Sequence, residues 1–155
     1  MLDPTTLDSL STLTLPSLQK SFEINTYGPF LLTQSLLPNL LLPSPSPTQK
    51  RISVISSRVG SIADNTSGGQ YAYRASKTAV NSLFKSLAVE LKDKGVVVTI
   101  LHPGITRTNL SPVLKGLQGA EEPGVVGEGL WRLVMEKGID ETGKFWHREG
   151  FELPW

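Results

Sequence analysis

No cysteine occurs in the 155 residues, which excludes disulfides, thiolate metal sites and cysteine nucleophiles together. The two histidines, His102 and His147, are too few to build a zinc cage by themselves. An excess of one charge is also lacking. Lys and Arg number 15 against 14 Asp and Glu, so no broad field exists to draw in nucleic acid or an anionic membrane. Long apolar runs are missing too: the leucine-rich stretch from Phe30 to Leu42 is interrupted by Gln34, Pro38 and Asn39 and is too short to span a bilayer. Met1-Leu2-Asp3-Pro4 carries neither a basic segment nor an apolar core, so no secretion signal is read there and a soluble, cytoplasmic protein is expected. Asn65-Thr66-Ser67 spells a glycosylation acceptor, but without export it meets no modifying enzyme.

What remains is an alternation of helical and strand patterns within one domain of 16.9 kDa. Residues 1–15 have no convincing period and read as a poorly ordered lead-in to a domain over 16–155. From Pro16, Leu18, Phe22, Asn25 and Phe30 recur at helical spacing, predicting a helix to about Leu41 that bends at Gly28-Pro29. Pro43-Ser44-Pro45-Ser46-Pro47 reads as an extended linker, and Arg51 to Ser56 as a buried parallel strand. A second helix is predicted from Tyr71 to Lys92, with Ala75, Ala79, Leu83, Leu87 and Leu91 as its apolar face and Gly95 as its stop. Val96 to Leu101 is another strand, His102-Pro103-Gly104 a break, Glu122 to Lys137 a third helix and Lys144 to His147 a last strand. This order implies an α/β fold in which helices cover both faces of a parallel sheet.

Tyr73 and Lys77 lie four apart on the strongest helix, hence on one face. A phenol of pKa near ~10 is a poor acid at neutral pH, and an adjacent ammonium favours the phenolate and makes the proton available to a carbonyl. Alone the spacing is a weak motif, equally met by an exposed lysine beside a half-buried tyrosine. Ser57 follows the strand at its C-terminal end, where open α/β sheets bind ligands, and its hydroxyl can donate to an oxyanion; an ordinary turn serine is the alternative. Asn25 is polar on the apolar side of its helix and needs a partner if buried. Tyr71 is a rival for the acid, but the residue four beyond it is Ala75.

These residues, in this order and followed by Pro103-Gly104-Ile105-Thr106-Arg107-Thr108, resemble the short-chain dehydrogenase/reductase family. Ser56-Ser57-Arg58-Val59-Gly60-Ser61-Ile62-Ala63-Asp64-Asn65 and Tyr71-Ala72-Tyr73-Arg74-Ala75-Ser76-Lys77 are similar to its sniffer and C-factor branch of carbonyl-reductase-like proteins. The resemblance extends from about Leu18 to Trp155 and includes Gly143-Lys144-Phe145-Trp146-His147-Arg148. It implies a Rossmann-type, doubly wound parallel sheet and reduction of a ketone or aldehyde by NADP(H) or NAD(H), the branch favouring NADP(H). Tyr73 becomes the proton donor and Ser57 the holder of the carbonyl oxygen. Lys77 becomes the ribose ligand that lowers the tyrosine pKa, and Asn25 the holder of a water relaying protons to Lys77. Pro103, Gly104, Ile105, Thr106 and Thr108 become contacts to the cofactor's carboxamide and phosphate side.

The family's opening glycine-rich turn, Gly-x-x-x-Gly-x-Gly, and its Asn-Asn-Ala-Gly are not found in the sequence. The expected fold is therefore the C-terminal half of the family's sheet, a partial Rossmann-type domain with weakened cofactor grip. Two other readings stay open: a truncated relative without redox activity that acts as an interaction partner, and a non-redox cyclase or isomerase. By the resemblance the loop from Asn109 to Gly119 covers the substrate, and its Leu110, Pro112, Val113, Leu114 and Leu117 point to a small apolar carbonyl or alcohol, ordinary surface packing being the alternative. The helices starting near Leu18 and Tyr71 are, by the resemblance, candidate surfaces for a homo- or heterodimer.

Overall fold

The structure, a computed structural model, describes residues 8–43, 48–109 and 116–155. Three parallel strands form its sheet: β1 (Lys50–Ile55), β2 (Val96–His102) and β3 (Phe145–His147), in the order β1-β2-β3. The register pairs Ile52 with Val98, Ile55 with Leu101, and Leu101 with Trp146. β2 lies in the middle. Its run Val96 to Leu101 is buried on both faces, which is why it shows no alternation of apolar and polar residues.

Helix α3 (Tyr71–Leu91) covers one face of the sheet and α4 (Pro123–Glu136) the other. Val80, Phe84, Ala88 and Leu91 of α3 pack with Val54, Val96, Val98, Ile100 and Phe145, while Leu133 of α4 packs with Leu101 and Trp146. This is the partial doubly wound sheet expected of the sequence. Gly95, at φ 68°, ends α3 after a short 3-10 turn, as its lack of a Cβ permits.

The face that α3 buries is one position away from the predicted stripe. Ala72, Ser76, Lys77, Val80, Asn81, Phe84, Ala88 and Leu91 are buried, whereas Ala75 is exposed and Ala79, Leu83 and Leu87 are half-buried. Three polar side chains sit on the buried face because each has work there, and they interrupt the apolar period by which a helix face is recognised.

The first predicted helix is three segments: α1 (Leu15–Phe22), a π turn (Glu23–Tyr27) and α2 (Gly28–Leu41). In place of a simple bend at Gly28-Pro29, the hydrogen-bond register slips, and the N–H of Gly28 donates to the carbonyl of Glu23. Pro29 has no N–H to give the carbonyl of Asn25, so the α pattern cannot pass through this point. Thr14 caps α1, its Oγ1 accepting from the N–H of Ser17 at 3.3 Å.

Residues 44–47 of the linker and 110–115 of the apolar loop lie outside the described residues. The base of that loop is closed by a parallel bridge between Thr106 and Glu121. Among the described residues, no helix is long and apolar enough to cross a membrane.

Candidate active site

Ser57 stands immediately beyond β1, in extended backbone, and opens the 3-10 turn Arg58–Gly60. The turn is pressed onto α3. A Cβ at Gly60 would come within 2.8 Å of the Cβ and carbonyl carbon of Lys77, an approach that only glycine permits. Thr78 Oγ1 donates to the carbonyl of Gly60 at 2.8 Å, and Arg74 Nη1 to that of Val59 at 3.1 Å. These contacts fix where Ser57 lies relative to the helix.

The half-buried Tyr73 phenol lies beside the Ser57 side chain. Burial raises the phenol pKa above its ordinary 10.0, and the Ser57 hydroxyl draws it part of the way back. Lys77 lies one turn on, 9% exposed. Its ammonium is 5.9 Å from the centre of the Tyr73 ring and donates to the carbonyl of Ile55 at 2.9 Å. Burial lowers its pKa from 10.5 to about 8. The expected depression of the tyrosine by the lysine is thus not what these groups display: each is pushed toward its neutral form. Tyr71 is 42% exposed.

Asn25 sits in the π turn, and its Nδ2 donates to Ser76 Oγ at 3.0 Å. Ser76 Oγ in turn donates to the carbonyl of Tyr73 at 2.8 Å, and Thr26 Oγ1 donates to the carbonyl of Ser76 at 2.9 Å. The Nδ2 of Asn25 therefore addresses the first turn of α3, the turn that carries Tyr73. Ser76 and Thr26 were not singled out from the sequence. A serine three residues after the tyrosine, on the same face, was the available signal.

The segment Pro103 to Thr108 leaves β2 at the same edge, since β1 and β2 are parallel neighbours. Gly104 has φ 76°, and the Arg148 guanidinium lies 3.4 Å from where its Cβ would be. Arg148 Nη2 bonds Glu121 at 2.6 Å, and Glu121 exchanges backbone bonds with Ile105 and Arg107. Ile105 is 38% exposed. Thr108 N–H donates to the carbonyl of Thr106. Thr106 Oγ1 and His102 Nδ1 are buried without a hydrogen-bond partner, and polar atoms in that condition call for a ligand or water. His102 is held near pKa 4, first by burial and then by the charges of His147, Arg58 and Arg148. Among the described residues no group of three or more His, Asp or Glu is arranged to hold a metal.

A phenol, a hydroxyl and an amine thus share one edge of the sheet with a loop offering unpaired polar atoms. Residues 5–116 match the model of the short chain dehydrogenase family. The chain belongs to that family. C-signal of Myxococcus xanthus is 33% identical over 136 residues, covering 88% of this chain and 77% of that protein. The 1-hydroxy-2-glutathionyl-2-methyl-3-butene dehydrogenase of Rhodococcus sp. (strain AD45) is 33% identical over 149 residues, covering 96% and 63%. Among solved structures, the carbonyl reductase Sniffer of D. melanogaster superposes with a TM-score of 0.85 at 29% identity, covering 94% of this chain and 60% of its own. An NADPH-bound carbonyl reductase from chicken fatty liver gives 0.83 at 26%, covering 96% and 61%. These relatives agree with the sniffer and C-factor resemblance. The chain spans about three fifths of the solved structures it matches.

Within the family, the donor set present here fits the nicotinamide and ribose end of a dinucleotide. Lys77 offers an ammonium, the Pro103–Thr108 loop offers backbone groups and the orphaned Thr106 hydroxyl, and no glycine-rich turn for a pyrophosphate occurs in the sequence.

Proposed function

We propose that this chain carries the proton-delivering machinery of an NADP(H)-dependent oxidoreductase that reduces a ketone or aldehyde, or oxidises the alcohol. The observation that carries the reading is the half-buried Tyr73 phenol beside Ser57, with the Lys77 ammonium 5.9 Å from its ring. The cofactor, when bound, supplies the hydride, with NAD(H) as the alternative form. Ser57 donates a hydrogen bond to the substrate carbonyl oxygen, which orients it and stabilises the charge that grows there. Tyr73 gives its phenolic proton to that oxygen as the carbonyl carbon is reduced, so the oxygen leaves as a neutral alcohol and the phenolate remains. Lys77 stabilises the phenolate and offers donors to ribose hydroxyls. Pro103, Gly104, Ile105, Thr106 and Thr108 hold the carboxamide and phosphate side, and Asn25 supports Lys77 through the first turn of α3. A small apolar substrate suits the exposed Ile105, in the segment that leaves β2 at this edge.

The test is binding and turnover with the purified chain. NADPH fluorescence on titration and its oxidation with a panel of aldehydes and ketones should both respond, and Tyr73→Phe should lower turnover about 10²–10⁴-fold while leaving NADPH binding in place. Turnover unchanged in Tyr73→Phe would overturn the assignment of the acid, and no NADPH binding would overturn the reductase reading for this polypeptide.

A second reading, association with another copy or a relative, is favoured by α2, where Leu31, Leu32 and Leu36 are each more than half exposed. A monomer at all concentrations in light scattering, alone and with a full-length relative, would remove it.

A further inference from the structure

Helix α3 begins without a cap of its own. Gln70, before its first residue, is in the left-handed region at φ 50° and its side chain makes no capping bond. The first N–H groups of a helix have no partner within it, and here they are not left to water, because Ala72 is fully buried. Asp8, 64 residues earlier, takes both: Oδ1 accepts from the N–H of Ala72 at 2.8 Å and Oδ2 from the N–H of Tyr73 at 3.0 Å. The Asp8 residue is 4% exposed. A long-range carboxylate therefore occupies the position that a neighbouring Ser, Thr, Asp or Asn ordinarily fills, and one of its two bonds goes to the acid residue's own peptide. The carbonyl of the same residue accepts from Ser76 Oγ, so Tyr73 is held at its N–H and at its C=O.

We propose that Asp8 is a positioning residue for Tyr73, fixing the rotation and depth of the first turn of α3 so that the phenol meets Ser57. The role rests on the reading of Tyr73 as the proton donor, but its geometry does not. Residues 9–13 support the placement of Asp8 by a local turn, in which the N–H groups of Thr12 and Leu13 donate to the carbonyl of Ser9 at 3.2 and 2.9 Å. That turn runs into the Thr14 cap of α1, and α1 leads through the π turn to Asn25. Both ends of the α1 region thereby converge on the same turn of α3, from Asp8 on its N–H groups and from Asn25 and Thr26 on Ser76.

The test reads the phenol directly. In the 155-residue chain labelled with 13Cζ-tyrosine, Tyr73 is assigned by its absence in Tyr73→Phe and titrated by NMR in wild type, Asp8→Ala and Asp8→Asn. Asp8→Ala should increase the ionisation constant of Tyr73 about threefold or more, because a frayed first turn loses the burial that holds the phenol's proton. Asp8→Asn, which keeps one carbonyl acceptor, should fall between the two. Tyr27 should not move. Leu133→Ala, on the opposite face of the sheet, supplies a destabilised comparison in which Tyr73 also should not move. If Asp8→Ala does not fold, Asp8→Asn decides alone. The proposal is overturned if Asp8→Asn titrates like wild type at Tyr73, or if either Asp8 variant shifts Tyr73 no more than Leu133→Ala does. No turnover is needed for this readout, so loss of the reductase reading, seen as absent NADPH binding, is separate from loss of this one. Where turnover is measured, Asp8→Asn should lower kcat while KM for NADPH stays the same.

Discussion

Lys77 offers a stability experiment with a sign fixed by its surroundings. Its ammonium titrates at about 8 where the ordinary value is 10.5, since burial penalises the charge. Between those values the unfolded chain binds more protons than the folded one, so unfolding free energy rises with pH across that window and is flat below it. From pH 8 to pH 10 the gain is about 2 kcal/mol. Tyr73 acts in the opposite direction, because its folded pKa is raised, but only above about pH 10. Lys77→Met should abolish the rise. At pH 7 it should also stabilise the fold by about 2 kcal/mol: relief of about 3 kcal/mol of charge burial, less about 1 kcal/mol for the lost bond to the Ile55 carbonyl. Urea unfolding followed by tryptophan fluorescence at pH 7, 8, 9 and 10, with the m value held common, measures both quantities. A wild-type profile that is flat over this range, or an equal rise in Lys77→Met, would refute the reasoning.

Gly60→Ala places a methyl 2.8 Å from the backbone of Lys77, so it should cost about 1–3 kcal/mol in urea unfolding and, by moving the Ser57 turn off α3, increase solvent access to Tyr73. Phe84, 1% exposed between α3 and the sheet, should cost about 3–5 kcal/mol when changed to Ala, with the m value unaltered. His102 titrates at about 4 against an ordinary 6.5, so the unfolded chain binds the extra proton as pH falls. Stability should drop about 2 kcal/mol between pH 6.5 and 4.5, beyond the drop seen in His102→Gln.

The elements that could be read from the sequence are those whose environment repeats along them. β2 is buried on both faces and shows an unbroken apolar run, and α3 has more than five turns over which a period declares itself. The order of strands and helices then fixes which loops share an edge, and Ser57 and the Pro103–Thr108 segment leave neighbouring parallel strands there; that they serve one site is what the family resemblance implied. What was not legible depends on single contacts. The π turn is a one-residue slip caused by Pro29, and apolar spacing tolerates such a slip without trace. The rotation of the α3 face follows from burying Ser76, Lys77 and Asn81, each of which reads as surface in a hydrophobic pattern. Asp8 caps a helix 64 residues away, and no local rule connects them.

The disagreement over the tyrosine pKa resolves once the order of titration is considered. The Lys77 ammonium lies 5.9 Å from the centre of the Tyr73 ring, and a positive charge that near favours the phenolate and lowers the phenol pKa. That attraction exists only while Lys77 is charged. With the amine titrating at about 8, only about 1% of it carries a proton at pH 10, so little charge remains to assist a phenol whose own pKa has been raised. The motif in the sequence therefore specifies a pair of groups and not their tuning. Tuning depends on whatever raises Lys77 again, and in this site that means additional acceptors for its ammonium beyond the single Ile55 carbonyl. A ligand whose hydroxyls accept from the Lys77 ammonium should lift the lysine pKa and lower that of Tyr73 together, and titration of both groups with and without such a ligand measures it.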